Sequence, residues 1–262
     1  MQLDYKNIYK LYKNTISIGI TMNEQKILQY FPNAIEGQKL TVEVVDKLAK
    51  NHQFTPKNTL FGYSTCPDEI NRSVTKFEMH YGKQQFPLGG LTGYPFRGKT
   101  GFFAFSHHAP DNGNIIILYG PHIGISESGE LGKILRENQS HESTACGSAI
   151  SFLNKYNAAK KNGKIYEPNY DILDMEQYQI EKMLIPHADK IISSQNQVKG
   201  LVEVNYNLIE QDIIKLIQEL KHHFKGKIAL VGGIMINTMN KGYFEPRRFE
   251  ICYKGKVERV CL

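Results

Sequence analysis

The clearest patterns along the chain are short, unbroken apolar runs separated by stretches of helical spacing. IIILYG (115–120) and KIALVGGIMINT (227–238) do not alternate, which marks strands buried on both faces. Thr59 to Ser64 reads as a shorter strand. FEICYKGKVERVC (249–261) does alternate and turns at Lys254-Gly255, as an edge hairpin does. Between these runs the spacing becomes helical. In TVEVVDKLAKNH, Val44, Val45 and Leu48 share one face, and residues 1–55 are expected to be mostly helical. Ile70, Val74 and Phe77 form an i, i+4, i+7 stripe, with Pro67 suited to the first turn of a helix that stops near Gly82. STACGSAISFLNKYNAAKKNG predicts a helix from about Cys146, with Ala149, Ile150, Leu153 and Tyr156 inward and Gly163 as its stop. Two more helices are expected over roughly 170–193 and 208–224, the second with Ile213, Ile214, Ile217 and Leu220 apolar. Residues 83–101 are rich in Gly and Pro and read as irregular, and FFAFS (102–106) reads as a strand or buried stretch.

Strands alternating with helices predict an α/β fold with a mostly parallel central sheet flanked by helices. No internal repeat or linker interrupts it. The expectation is one domain over 1–262, with a helical N-terminal part at 1–55 and a sheet-bearing core at 56–262.

Composition narrows the function classes. A chain of 262 residues, 41% hydrophobic, with 15 Tyr, 13 Phe and no Trp, can bury a sizeable aromatic-rich core. The net charge of +6 is modest and the lysines are scattered, apart from short clusters such as Lys160-Lys161. No basic stripe interleaved with aromatics marks a nucleic-acid surface. No apolar run approaches the ~20 residues needed to cross a bilayer. MQLDYKNIYKLYKN lacks a signal-peptide core, and its Asp4 and want of Arg argue against a transit peptide. Cytoplasm is the expected compartment. Four cysteines in so long a chain are no disulfide scaffold. Cys252 and Cys261 read as ordinary half-buried thiols.

Cys66 in TCPDEINR, His122 in GPHIG and Cys146 in STACGSA each follow an apolar run, where a strand would end. In a parallel sheet their side chains can converge at one edge. Two thiolates and an imidazole leave a fourth position open, the ligand set of a catalytic zinc rather than a structural one. Asp68 stands beside Cys66, and Arg72, four residues further on, is placed to hold its carboxylate. His107 and His108 are rival ligands, and His141 is a candidate proton relay. Phe96, Phe102 and Phe105 are candidate walls for a small apolar pocket, although core packing is their ordinary role.

Two motifs in the same stretch point elsewhere. GYPFRGKT (93–100) matches the G-x-x-x-x-G-K-[ST] phosphate loop. That mechanism needs a buried strand before the loop, free backbone N–H groups within it and a helix at the Lys. Here a poor strand precedes it, Pro95 removes an N–H, and the following GFFAFSHHAP is too aromatic and short for a good helix. CPDEINR matches the C-x5-R spacing of cysteine phosphatases, but Asp68 and Glu69 would repel a phosphate and no glycines let the backbone wrap one.

The run FPLGGLTGYPFRGKTGFFAFSHHAPDNGNIIILYGPHIGIS, with CPDEINR before it and STACGSAI after it, resembles the limiting-CO2-inducible protein B/C family. The likeness is dense over 60–150 and looser to the C-terminus. It implies a β-carbonic anhydrase-like fold, zinc on Cys66, His122 and Cys146, and Asp68 with Arg72 as a dyad. It also implies reversible hydration of CO2 to bicarbonate by zinc-bound hydroxide, and a homodimer. Members of the family are not all active, so the resemblance carries a second implication: a catalytically silent zinc-binding subunit for interaction or sensing in inorganic-carbon handling.

Overall fold

An apolar run without alternation must be covered on both faces, and the two strongest runs lie side by side in the middle of one sheet. The computed structural model describes residues 22–82 and 85–262. The first part of the mostly helical stretch expected over 1–55, residues 1–21, lies outside them. In chain order the elements begin with α1 (Met22–Tyr30), β1 (Ile35–Glu36), α2 (Gly37–His52), β2 (Thr59–Ser64), α3 (Phe77–Tyr81) and β3 (Gln85–Pro87). There follow α4 (Gly98–His108), β4 (Asn114–Tyr119), β5 (His122–Gly124), β6 (Lys133–Ile134), β7 (Ser143–Thr144) and α5 (Gly147–Lys161). The chain closes with α6 (Met175–Leu184), α7 (Ala188–Ile192), α8 (Gln197–Leu220), β8 (Ile228–Asn237), β9 (Gly242–Tyr253) and β10 (Lys256–Arg259).

The sheet order is β1-β9-β8-β4-β2-β3, with β10 on β9 and β5 on β8. Strands β3, β2, β4 and β8 are parallel, as expected of the core. β9 joins antiparallel and carries β1 and β10 antiparallel in turn. Side chains alternate between two helical layers. Ile115, Ile117 and Tyr119 pack with Phe102, Phe105, Ile209 and Ile213 of α4 and α8. Ile116 and Leu118 pack with Leu40, Val44, Leu48 and Phe77 of α2 and α3. Beyond the strand ends, α5 to α8 gather a third cluster around Cys66 and Cys146, including Phe152, Leu153, Leu184 and Ile191. This is a single-domain α/β fold with a mostly parallel central sheet flanked by helices.

Several elements differ from the sequence expectation, each for a local reason. FFAFS is helix, inside α4: Phe102 and Phe105 are fully buried while Phe103 is 43% exposed. That is one helical face, and packing against α8 and the sheet outweighs the weak helix propensity of aromatics. The stripe Ile70-Val74-Phe77 does not lie on one helix. Asp68 caps a 3-10 turn over Glu69–Ser73, and α3 starts afresh at Phe77 and ends at Gly82, whose φ is 98°. The stretch 170–193 is broken by a 3-10 turn at Ile185–His187, where Pro186 withholds an N–H. α8 starts well before 208 because the Asn196 side chain accepts the N–H of Lys199. The C-terminal hairpin turns where expected, with φ positive at both Lys254 and Gly255, the demand of a tight I′ turn.

One junction matters for the site. β8 pairs with β4 up to Tyr119↔Gly232 and with β5 from His122↔Met235, so the register carries through unchanged. Between them Gly120 has φ of 145°, and a Cβ there would lie 1.7 Å from the Gly233 oxygen. Only glycine allows this approach, which delivers His122 to the strand end. No helix among the described residues is long and apolar enough to cross a membrane.

Candidate metal centre

Each of the three expected donors comes from the end of an element in the sheet or from a helix start. Cys66 leaves β2 two residues after Ser64, whose hydroxyl donates to the Gly93 carbonyl at 3.0 Å. Gly93 has φ of 90°, and a Cβ on it would meet the Gly120 oxygen at 2.3 Å. The Gly-rich loop is thus folded down on the strand ends. GYPFRGKT does lead into a helix, α4, contrary to expectation, but β3 stops at Pro87 and does not run directly into the loop. Cys146 directly precedes α5, and the Asn71 amide donates to the Cys66 carbonyl at 3.1 Å.

The Sγ atoms of Cys66 and Cys146 are 4.0 Å apart. With a His122 ring nitrogen they form a set of donor atoms within 4.8 Å of one another, all three residues buried. Zinc–sulfur bonds of about 2.3 Å at a tetrahedral angle would hold two sulfurs about 3.8 Å apart. His122 is 2% exposed; its Nδ1 lies 2.9 Å from Asn237 Oδ1, while its Nε2 is buried without a hydrogen-bond partner. An orphaned ring nitrogen beside two thiols is what a metal would satisfy, so the residues fit zinc.

Electrostatics agree. The Cys66 thiol is pushed up by its hydrogen bond to Cys146 and by burial. Cys146 is pulled down by that same hydrogen bond and, against the cost of burial, by the first amides of α5 at Ala149 and Ser148. Two thiolates this close and this buried repel each other unless a cation lies between them.

Asp68 stands at the rim. Its carboxylate receives both terminal nitrogens of Arg136, Nη2 at 3.0 Å to Oδ2 and Nη1 at 3.4 Å to Oδ1. Arg136 also donates to the Thr144 carbonyl at 3.2 Å and to Glu69 Oε1 at 3.3 Å. Burial pushes the Asp68 carboxyl up, while His122 and Arg136 pull it back. Asp68 Oδ2 lies 3.8 Å from His122 Nε2. The side chain of Arg72 lies outside the described residues; Arg136 is the guanidinium seen on Asp68. It is 68 residues away in the chain, brought back by the β6–β7 ribbon, where Lys133 faces Thr144. No local spacing signals that pairing.

The rival ligands lie elsewhere. His107 and His108 end α4, exposed, their rings against Phe103 and Phe86. His141 is exposed. Phe102 and Phe105 serve the sheet core, and Phe96 alone of the three aromatics packs with the cysteine cluster. Behind His122 and Cys146, Ala149, Leu201 and Val202 help wall a cavity of about 10 Å³, at the threshold for one water.

The family described as limiting CO2-inducible proteins B/C beta carbonic anhydrases matches residues 35–253. Among solved structures, PtLCIB4, a homolog of the limiting CO2-inducible protein LCIB, is 30% identical with a TM-score of 0.83, covering 91% of this chain and 99% of its own. The limiting CO2-inducible protein LCIB itself shares the fold at 21% identity and a TM-score of 0.69, covering 90% of this chain and 97% of its own. No curated protein sequence matches. With the family matched over most of its length, the chain belongs to the limiting CO2-inducible B/C, β-carbonic anhydrase-like family.

Proposed function

We propose that Cys66, His122 and Cys146 bind zinc and that the protein hydrates CO2 reversibly to bicarbonate, as a homodimer. The observation that carries this is the convergence of two thiols and one orphaned imidazole nitrogen beside a carboxylate clasped by arginine. Bound zinc would supply a Lewis acid that acidifies water, so that hydroxide is available near neutral pH. The two thiolates offset the charge of the dication, which makes help from surrounding groups more important. Asp68 provides it: held in both carboxylate oxygens by Arg136, it stays oriented to accept a hydrogen bond from the attacking O–H. The same hydrogen bond aims the oxygen lone pair at CO2. Arg136 in turn is steadied by the Thr144 carbonyl. Ile165, Ile172 and Leu173, 70–92% exposed, support an interface with a second copy.

A second reading rests on the 3.8 Å between Asp68 Oδ2 and His122 Nε2. A carboxylate turned from Arg136 onto the metal would fill the fourth position and leave a silent zinc-binding subunit. Metal analysis tests the centre that both readings share: about one zinc per chain in the parent and little in Cys66→Ser supports it. Equal zinc in both proteins removes it.

A further inference from the structure

Asn237 lies at the far end of β8, two residues beyond the partner of His122, and so on the same face of the sheet. It is 2% exposed, and both ends of its amide are used. Nδ2 donates to the Ile70 carbonyl at 3.2 Å, and Oδ1 lies 2.9 Å from His122 Nδ1. The first bond settles the second. With Nδ2 committed to a carbonyl, the atom facing His122 is an oxygen, so Nδ1 must carry the proton and Nε2 the lone pair. Ile70 belongs to the turn headed by Asp68, so a single amide joins the imidazole to the element that carries the carboxylate.

We infer that Asn237 is a positioning residue: it sets which nitrogen of His122 ligates, fixes the ring plane, and couples that ring to the Asp68 turn. This rests on the zinc reading above. A carboxylate commonly orients a ligating histidine, and it makes the imidazole a stronger donor. Here a neutral amide does so. Beside two thiolates and Asp68 this avoids adding a further negative charge close to the metal, and it supplies the N–H that Ile70 requires, which a carboxylate lacks. Nothing in the sequence singles out Asn237, because a polar residue at the end of a buried strand looks like an ordinary strand terminus.

Cobalt binding tests this without any turnover measurement. Cobalt(II) is titrated into the parent, Asn237→Leu and Asn237→Asp against a competing chelator, while thiolate-to-cobalt absorption is followed and the His122 tautomer is read by nitrogen NMR in the zinc form. Asn237→Leu, similar in size but without an acceptor, is expected to bind about 10–100-fold more weakly and to lose the single Nδ1–H tautomer. Asn237→Asp keeps the acceptor but loses the N–H to Ile70, and is expected to keep the Nδ1–H tautomer and to bind more tightly than Asn237→Leu, though below the parent. Thiolate absorption in the parent with unchanged affinity in Asn237→Leu overturns the inference and leaves the zinc reading standing. Loss of the Nδ1–H tautomer in the Asp variant as well as in the Leu variant overturns it too, because the acceptor would then not set the ring's tautomer. Absence of thiolate absorption in the parent removes the zinc reading and this inference with it.

Discussion

Cys66 and Asp68 are two residues apart, but the chain completes their surroundings over very different distances. The convergence of Cys66, His122 and Cys146 was legible because each follows an apolar strand run or opens a helix, and parallel strand ends meet at one edge. Asp68 was legible for the same reason. The contact with Arg136 was not: helical spacing points to an arginine four residues on, whereas Arg136 lies 68 residues away in the chain. Arg136 arrives through a loop whose path no periodicity encodes. Its bidentate grip is expected to matter for rate more than for metal binding. Arg136→Ala should keep its zinc, counted by metal analysis, and lose about 10–100-fold in CO2 hydration. An unchanged rate would show that Asp68 needs no such anchor.

Elements set where these residues stand. β2, β4 and β8 fall nearly where their apolar runs place them, because burial leaves a plain sequence trace, whereas β9 reaches back to Gly242, before the alternation at 249, and FFAFS, expected as a strand or buried stretch, lies in α4, its three Phe in five positions hiding a helical face. The glycine junction between β4 and β5 is the element on which His122 depends. Gly120→Ala puts a methyl group against the Gly233 oxygen and forces a residue with φ of 145° into strain. The expected cost is at least about 1–3 kcal/mol by urea unfolding, with weakened metal binding; full stability would show that the junction can relax. A second tie joins α8, β4 and β9. Glu210 Oε1 accepts from Tyr206 at 2.6 Å, Arg248 at 2.8 Å and Tyr119 at 3.3 Å. Burial pushes the Glu210 carboxyl up, but Arg248 and the tyrosines hold it below its ordinary value of 4.5. A depressed carboxylate stabilises the fold above that ordinary value and stops doing so as pH falls through its own lower value. Glu210→Gln should therefore be less stable than the parent at pH 7, by about 1–3 kcal/mol. The gap should close on acidification through and below the ordinary carboxylate range. A gap independent of pH would assign the loss to packing.

At the scale of the whole molecule, three clusters divide the work. Two sandwich the sheet, and the third, built from α5 to α8, closes the strand ends around Cys66 and Cys146. The α/β class and parallel core followed from alternation of runs and helices, and family membership agrees with them. The β9–β10 hairpin extends the sheet on the side away from β2, leaving the centre at the carboxyl ends of the parallel strands. What the fold assembles there is a set of donors suited to zinc with an anchored carboxylate beside it, the set proposed to hydrate CO2. The most direct measurement is stopped-flow CO2 hydration by the parent protein at a counted zinc occupancy. Acceleration that scales with bound zinc, at about one ion per chain, is the predicted result. Full zinc occupancy with no acceleration over buffer would contradict it.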